Sequence, residues 1–486
     1  MTLRALLGLL ALVGASLWST ISQASEIRVD SAGGLTTVMT DETNNLDLFL
    51  EGNPAGLVLL NTHDRLDLTT QWAYSNTLPV TQGSLQQAFS TIPRLTDANY
   101  IRYSGFMTFP NPQWAFQAAG DFNNLSGQPA YSYDTFRSTQ YRGLVRSAYN
   151  AGPFCLGLEV LNVEFDKAYD PGLFNPYVAV QSGSSGDNQT ILKAGLITTF
   201  PEKAPEDAPR WQAGGVFATQ VGPSAQTLNA NFFYNNSPSF SLQQIVTTSN
   251  YFFFGPELRF EIPNRLIIRF SYFIDNTDTD FSQNVAQTST YFSSLTKFHS
   301  SQFQSMNATG AFRVNEPLND KENLKIGGSL VTYFNNTDLL RPAQNVYDSQ
   351  NKQQINVTLG VGLEALQDYT FGLQFKSQNY LYGNQNIPNN PSQNNTDYDS
   401  YQLALGGEQW LTPEFALRMG LVVEEDVYTQ SVNLQTLNSS FVAGVGFKTT
   451  GFKFDAKLSL GQTFDINNSN NSTLLTGAGL SGTLFL

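Results

Sequence analysis

Residues 355–376 read Ile-Asn-Val-Thr-Leu-Gly-Val-Gly-Leu-Glu-Ala-Leu-Gln-Asp-Tyr-Thr-Phe-Gly-Leu-Gln-Phe-Lys. Ile355, Val357, Leu359, Val361 and Leu363 alternate with Asn356, Thr358, Gly360, Gly362 and Glu364. After a break at 365–368, Tyr369, Phe371, Leu373 and Phe375 alternate with Thr370, Gly372, Gln374 and Lys376. Side chains on a strand point to opposite faces with a period of two, so this stretch predicts a hairpin with one apolar and one polar face. A soluble sheet packs such a face on a core. Here the pattern recurs in hairpin after hairpin, and little else in the chain could cover the apolar faces. Lipid is the partner that this arrangement implies.

From about residue 64 onward, strands alternate with short and long connections. The short turns fall at Pro110–Pro112, Asn150–Pro153, Glu261–Asn264, Ala365–Asp368, Leu411–Pro413 and Thr449–Gly451, with longer ones at Pro201–Arg210 and Val314–Glu322. Between them lie long polar connections at Asp275–Leu295, Asn379–Asp399 and Asp465–Ser472, and 222–250 reads as an outer excursion. Short periplasmic turns opposite longer outer loops are the asymmetry of an outer-membrane barrel. Counting hairpins predicts roughly 18 strands, within a range of about 14–18. The fold class is therefore all-β, a transmembrane antiparallel barrel.

Charge placement follows the same parity. Arg418 and Glu424 fall opposite Phe415, Leu417, Met419, Leu421 and Val423, and Arg269 falls opposite Ile268 and Phe270. A charge turned to lipid at the bilayer midplane costs about 2–4 kcal/mol, so these residues are expected to line the lumen. By parity the lumen-lining set is Arg102, Arg146, Lys193, Arg259, Arg269, Glu364, Lys376, Arg418 and Glu424, with Glu159, Glu257 and Glu408 beside them. Their mixed signs suit either a transverse field that filters solutes or ion pairs that hold a plug. Aromatic residues near strand ends (Tyr369, Tyr380, Trp410, Phe415, Phe447 and Phe452) suit interfacial girdles.

The totals agree. Of 486 residues only 14% are charged and 13% aromatic, and the formal charge of −14 supplies no basic stripe for nucleic acid. Past the N-terminus no run approaches the roughly 18 apolar residues of a membrane-spanning helix. A mean hydropathy of −0.23 fits strands that show only alternate residues to lipid. Residues 1–24 read as an export signal, with Arg4, the apolar stretch Ala5–Leu17 and a small-x-small cleavage site at Ser22-Gln23-Ala24. The single cysteine, Cys155, falls in an expected strand over Phe154–Phe165 and is expected to be buried. Together these place the protein in a Gram-negative-type outer membrane, spanning the lipid bilayer.

Residues 25–63 differ from the rest. Leu46, Leu48 and Leu50 alternate briefly, and Asn53-Pro54-Ala55-Gly56 follows just before the first strand. This motif in this position resembles the long-chain fatty-acid and hydrocarbon transporter family of outer-membrane barrels, and related barrel families share it. The run at 407–418 is similar to a turn seen across such barrels. The resemblance implies that 25–63 folds inside the barrel as a plug or hatch, with Asn53, Pro54, Ala55 and Gly56 in it. It also implies uptake of a hydrophobic small molecule, insertion by the barrel-assembly machinery, and 14 strands where the hairpin count predicts more. The chain ends on Phe485-Leu486, where assembly machinery commonly reads a terminal aromatic residue. The expected organisation is signal 1–24, plug 25–63 and barrel 64–486.

Catalytic and metal chemistry is not expected. His63 reads as a turn residue, and nothing near His299 selects a nucleophile or an oxyanion hole. The Asp275–Asp280 run lacks the Gly and distal Glu of a calcium loop and reads as a polar outer loop. No cofactor is implied. The leading functional expectation is passive uptake of hydrophobic or amphipathic molecules through a plugged barrel. The alternatives are an open general or sugar porin and a barrel that serves secretion or envelope assembly.

Overall fold

Among the described residues, nineteen strand segments join into one sheet in which every pairing is antiparallel. In this computed structural model the described residues are 23–39, 53–59 and 64–485, the last range without 79–94, 110, 130–134, 171–179, 201–207, 223, 235–236, 264, 288–291, 342–345, 366–367, 386–395, 430–432 and 467–471. The expected export signal and His63 lie outside them, apart from Gln23 and Ala24, which open a short helix, α1 (Gln23–Ser31).

The strands are β1 (Arg65–Leu78), β2 (Leu95–Phe109), β3 (Trp114–Pro129), β4 (Thr135–Asn150), β5 (Phe154–Asp170), β6 (Val180–Phe200), β7 (Arg210–Gln220), β8 (Ser224–Tyr234), β9 (Ser237–Ile262) and β10 (Leu266–Gln287). They continue as β11 (Phe292–Pro317), β12 (Glu322–Arg341), β13 (Val346–Ala365), β14 (Tyr369–Gln385), β15 (Thr396–Trp410), β16 (Phe415–Thr429), β17 (Asn433–Lys448), β18 (Phe452–Asp465) and β19 (Ser472–Phe485). The sheet closes because β1 pairs with β2 on one side and with β19 on the other. Closure removes the free edge strands of an open sheet, whose unpaired N–H and C=O groups lipid could not satisfy.

The segments fill eighteen positions around the barrel. β7 and β8 share one, both lying between β6 and β9: β7 pairs Ile191–Phe200 and β8 pairs Val180–Gly186 of β6. Between them Val221 and Gly222 step aside, and Gly222 takes a φ of 74°, a left-handed conformation that glycine adopts without steric cost. The expected outer excursion over 222–250 is thus corrected to β8 and the first half of β9. Polarity suggested a loop there, but the hydrogen-bond ladder continues through it.

The same physics corrects two outer connections. β10 carries the Asp275–Asp280 run up to Gln287, and β14 and β15 shorten the expected Asn379–Asp399 loop from both ends. His299 stands on β11, paired across to Asp280 and Leu340. Apolar alternation ends where lipid ends. Backbone pairing does not, because Asn, Gln, Ser and Thr hold a ladder in water as well.

Each strand shows two faces. On β13 and β14, Leu359 (50%), Val361 (43%) and Phe371 (53%) are exposed, whereas Gly360, Gly362 and Gln374 are buried. The outer face continues this way round the wall through Leu158, Leu196, Phe254, Phe270, Leu330, Leu421 and Leu458. Burying apolar surface is worth about 25 cal/mol per Å², so a belt of this extent belongs in lipid. Near the short turns it carries aromatic side chains, including a Trp114–Tyr149 contact and the exposed Phe447 and Phe452. Tyr380 stands on β14.

Candidate functional site

The inner face of the wall is where chemistry can reside, and its charged side chains are organised by strand register. Arg146 on β4 lies directly opposite Glu159 on β5, which lies opposite Lys193 on β6. The resulting trio has Arg146 Nη2 2.5 Å and Lys193 Nζ 3.0 Å from the two Glu159 oxygens. Glu408 on β15 and Arg418 on β16 are likewise register partners, 2.6 Å apart, and Arg418 also reaches Asp455 on β18 at 2.6 Å.

Further pairs complete the lower wall. Arg259 and Arg269 stand opposite each other on β9 and β10, a repulsive juxtaposition offset by Glu261 at 2.9 Å and Glu257 at 3.7 Å. Lys325 binds Glu364 at 2.6 Å. Asp67 accepts a 2.5 Å hydrogen bond from the Thr483 hydroxyl across the β1–β19 closure. Higher on the wall, Arg102 lies 3.4 Å from Asp121, and Ser400 donates to Glu424 at 2.9 Å. Lys376 is half-buried on the same face of β14. Pairing of this kind is what a closed wall needs, because an unpaired buried charge is heavily penalised.

Two pieces of the N-terminal segment touch this inner face. In the first, the Arg28 guanidinium donates to both oxygens of Glu408, at 2.5 and 2.8 Å, and Asp30 meets Lys457 at 2.5 Å. Gln374 accepts from the Thr37 backbone N–H (2.9 Å) and hydroxyl (2.8 Å) and donates to the Gly34 carbonyl (2.8 Å).

The second piece is a 3₁₀ turn, Pro54–Leu59, preceded by Asn53. The Asn53 amide donates to the Leu196 and Gly215 carbonyls, both at 3.2 Å, and its oxygen accepts from the Ala55 N–H at 3.1 Å. That local acceptance is the turn chemistry Asn favours. Pro54, Ala55 and Gly56 are buried; Ala55, Leu57 and Val58 pack with Phe106, Leu144, Cys155, Leu161, Ile191 and Val216.

The contacts are close because the wall is glycine where they occur. A Cβ on Gly157 or Gly195 would collide with Asn53, Pro54 or Ala55, and one on Gly214 would come 2.6 Å from the Leu196 carbonyl. Parity puts Gln374 and Lys457 on the polar face of their strands, but nothing local marks their partners or those of Arg28 and Asp30, hundreds of residues apart. The glycines did carry a signal. They recur on the inward parity, where a glycine marks the close approach of another backbone.

The molecule is a closed, eighteen-position antiparallel barrel of the outer-membrane type, with an apolar outer belt and a charge-paired inner wall. No family model and no curated protein matches the sequence. Among solved structures, the ferric yersiniabactin uptake receptor FyuA from Yersinia pestis aligns with a TM-score of 0.50 and 9% identity, over 87% of this chain and 79% of that one. Further structural neighbours are a Pseudomonas aeruginosa FadL homologue (TM-score 0.40, 12% identity, 97% of this chain and 99% of that one) and the Ralstonia pickettii toluene transporter TbuX (0.37, 11%, 94% and 98%). At 9% identity the likeness to FyuA bears on the fold alone.

Proposed function

We propose that this protein is an outer-membrane transport barrel in which residues 25–63 act as a lumenal plug, and that it admits hydrophobic or amphipathic small molecules passively. The observation that carries the reading is the inner surface of β2–β10. There Phe106, Leu144, Leu161, Ile191, Val216 and Phe253 form a buried apolar sector on a wall that in an open aqueous pore would be polar. An eighteen-position barrel is wide enough to leave a water channel, so a segment seated in it has a physical reason. The hydrogen bonds of Asn53, Arg28 and Gln374 support that seating. In this reading the charged residues from Arg102 to Glu424 set the polar side of the path and stiffen the wall, and the barrel-assembly machinery inserts the protein.

Proteoliposomes carrying the protein should take up a fatty acid or an aromatic hydrocarbon faster than empty vesicles; equal rates would refute the proposal. A second reading, a general porin, draws on the mixed inner charges. It requires a large steady ion conductance in planar bilayers that deleting 25–60 leaves unchanged.

A further inference from the structure

The two N-terminal pieces are held by different forces. Residues 53–59 are fixed to the wall by apolar burial: Ala55, Leu57 and Val58 share one cluster with side chains from β2 to β9. Residues 27–39 meet few apolar side chains of the wall. Their cluster, Val29, Ala32, Leu35, Val38 and Met39, includes Ala404 of the wall, with Val422 partly buried beside it. The five cluster residues of this piece and Ile27 are no more than 5% exposed, covered by one another and by the backbone of the wall. Beneath this piece the wall offers a bare floor, since a Cβ on Gly360, Gly362, Gly406, Gly420 or Gly444 would run into Ser31, Ala32, Gly33, Thr37 or Val38. Such a floor lets the backbone lie close and offers no side chain of its own at those positions.

The side-chain ties between the first piece and the wall are polar: the Arg28–Glu408 fork, the Asp30–Lys457 pair and the Gln374 contacts. The charged partners are arranged so that the fork can break without stranding a buried charge. Glu408 keeps Arg418 at 2.6 Å and the Trp410 indole N–H at 3.0 Å. Asp30 and Lys457 are 36% and 15% exposed, within reach of water.

Resting on the plug reading, we propose that Arg28 and Asp30, with Glu408 and Lys457, form a charge clamp that positions residues 27–39, and that this half of the plug releases while 53–59 stays anchored. The clamp weakens as salt rises, because a pair near water is screened over about 8–10 Å at 0.1–0.15 M ionic strength.

The test uses the full chain in proteoliposomes, with Ser31→Cys as a reporter on the first piece and native Cys155, packed in the second cluster, as its internal control. Maleimide labelling at each position is read by mass spectrometry. In the Arg28→Gln/Asp30→Asn background, labelling at position 31 should rise at least tenfold while Cys155 stays as protected as before. The charge swap Asp30→Lys/Lys457→Asp should keep position 31 protected. Parallel labelling of Cys155, no change at position 31, or fast labelling in the swap would each overturn the clamp. Deleting 25–60 judges the plug reading separately. If conductance does not rise on deletion, that reading fails; if it rises while the clamp variant labels like wild type, the clamp alone fails.

Discussion

Replacing Glu159 with alanine removes the one carboxylate shared by Arg146 and Lys193, with all three residues no more than 3% exposed. Breaking a buried ion pair by deleting one partner costs about 3–5 kcal/mol, because the remaining charge is stranded away from water. Arg146 and Lys193 both lose this carboxylate, so the upper part of that range applies. With a urea slope of about 3 kcal/mol per M, the unfolding midpoint should fall by about 1.3–1.7 M. The assay is urea unfolding of the liposome-inserted protein, followed by tryptophan fluorescence. A companion variant, Arg146→Met/Glu159→Leu/Lys193→Met, removes all three charges and should sit near wild type or above it, since apolar replacement of a buried ionic group is often neutral or stabilising. If Glu159→Ala loses less than about 1 kcal/mol, in the range of an exposed pair, or if the triple variant is as damaged as the single one, the trio is solvated and the reasoning fails.

Three further outcomes follow from the same wall. Leu359→Arg, on the exposed apolar face of β13, should destabilise the inserted barrel by about 2–4 kcal/mol in a urea titration, and a neutral result would mean that this face does not meet lipid. Gly195→Val puts side-chain atoms where Asn53 and Pro54 lie, so it should raise the hydrogen-exchange rate of residues 53–59 while leaving the exchange of β6 itself slow. Asn53→Ala loses two hydrogen bonds to wall carbonyls and should weaken the seating of the turn by about 1–3 kcal/mol, measured as faster exchange at Ala55–Leu59.

Much of the architecture was legible because lipid imposes a strict rule on alternate residues. Leu359, Val361, Phe371 and Leu373 betray both their strands and the direction they face, and charges such as Arg418 confirm the parity by avoiding it. Legibility ended where that rule stopped applying. Above the belt, Asp275–Asp280 and Asn379–Gln385 are strand by virtue of backbone pairing alone, and side-chain polarity says nothing about that. β7 and β8 share a position through a local step at Gly222, which resembles an ordinary turn in sequence. The charged residues were visible as inward positions, but their partners were not. Arg146 finds Glu159 through register, which counting can approach, whereas Arg28 finds Glu408 only through the closed fold. Asn53-Pro54-Ala55 stood out as a motif, yet the two carbonyls that receive its amide belong to strands some 150 residues away.

The shared position of β7 and β8 has a mechanical consequence. At most heights the barrel is girdled by an unbroken hoop of backbone hydrogen bonds, and a closed hoop resists dilation cooperatively. Around Val221–Gly222 the hoop is interrupted: among the described residues, Asp187–Thr190 of β6 and Ser249–Tyr251 of β9 pair with neither β7 nor β8. The stitching there is slight, a Val221 N–H donating to the Thr190 carbonyl and a glutamine relay from Gln189 through Gln220 to the Gly222 carbonyl. Circumferential strain on the wall should therefore gather at this seam, and amide protons there should exchange ahead of those in the strands on either side.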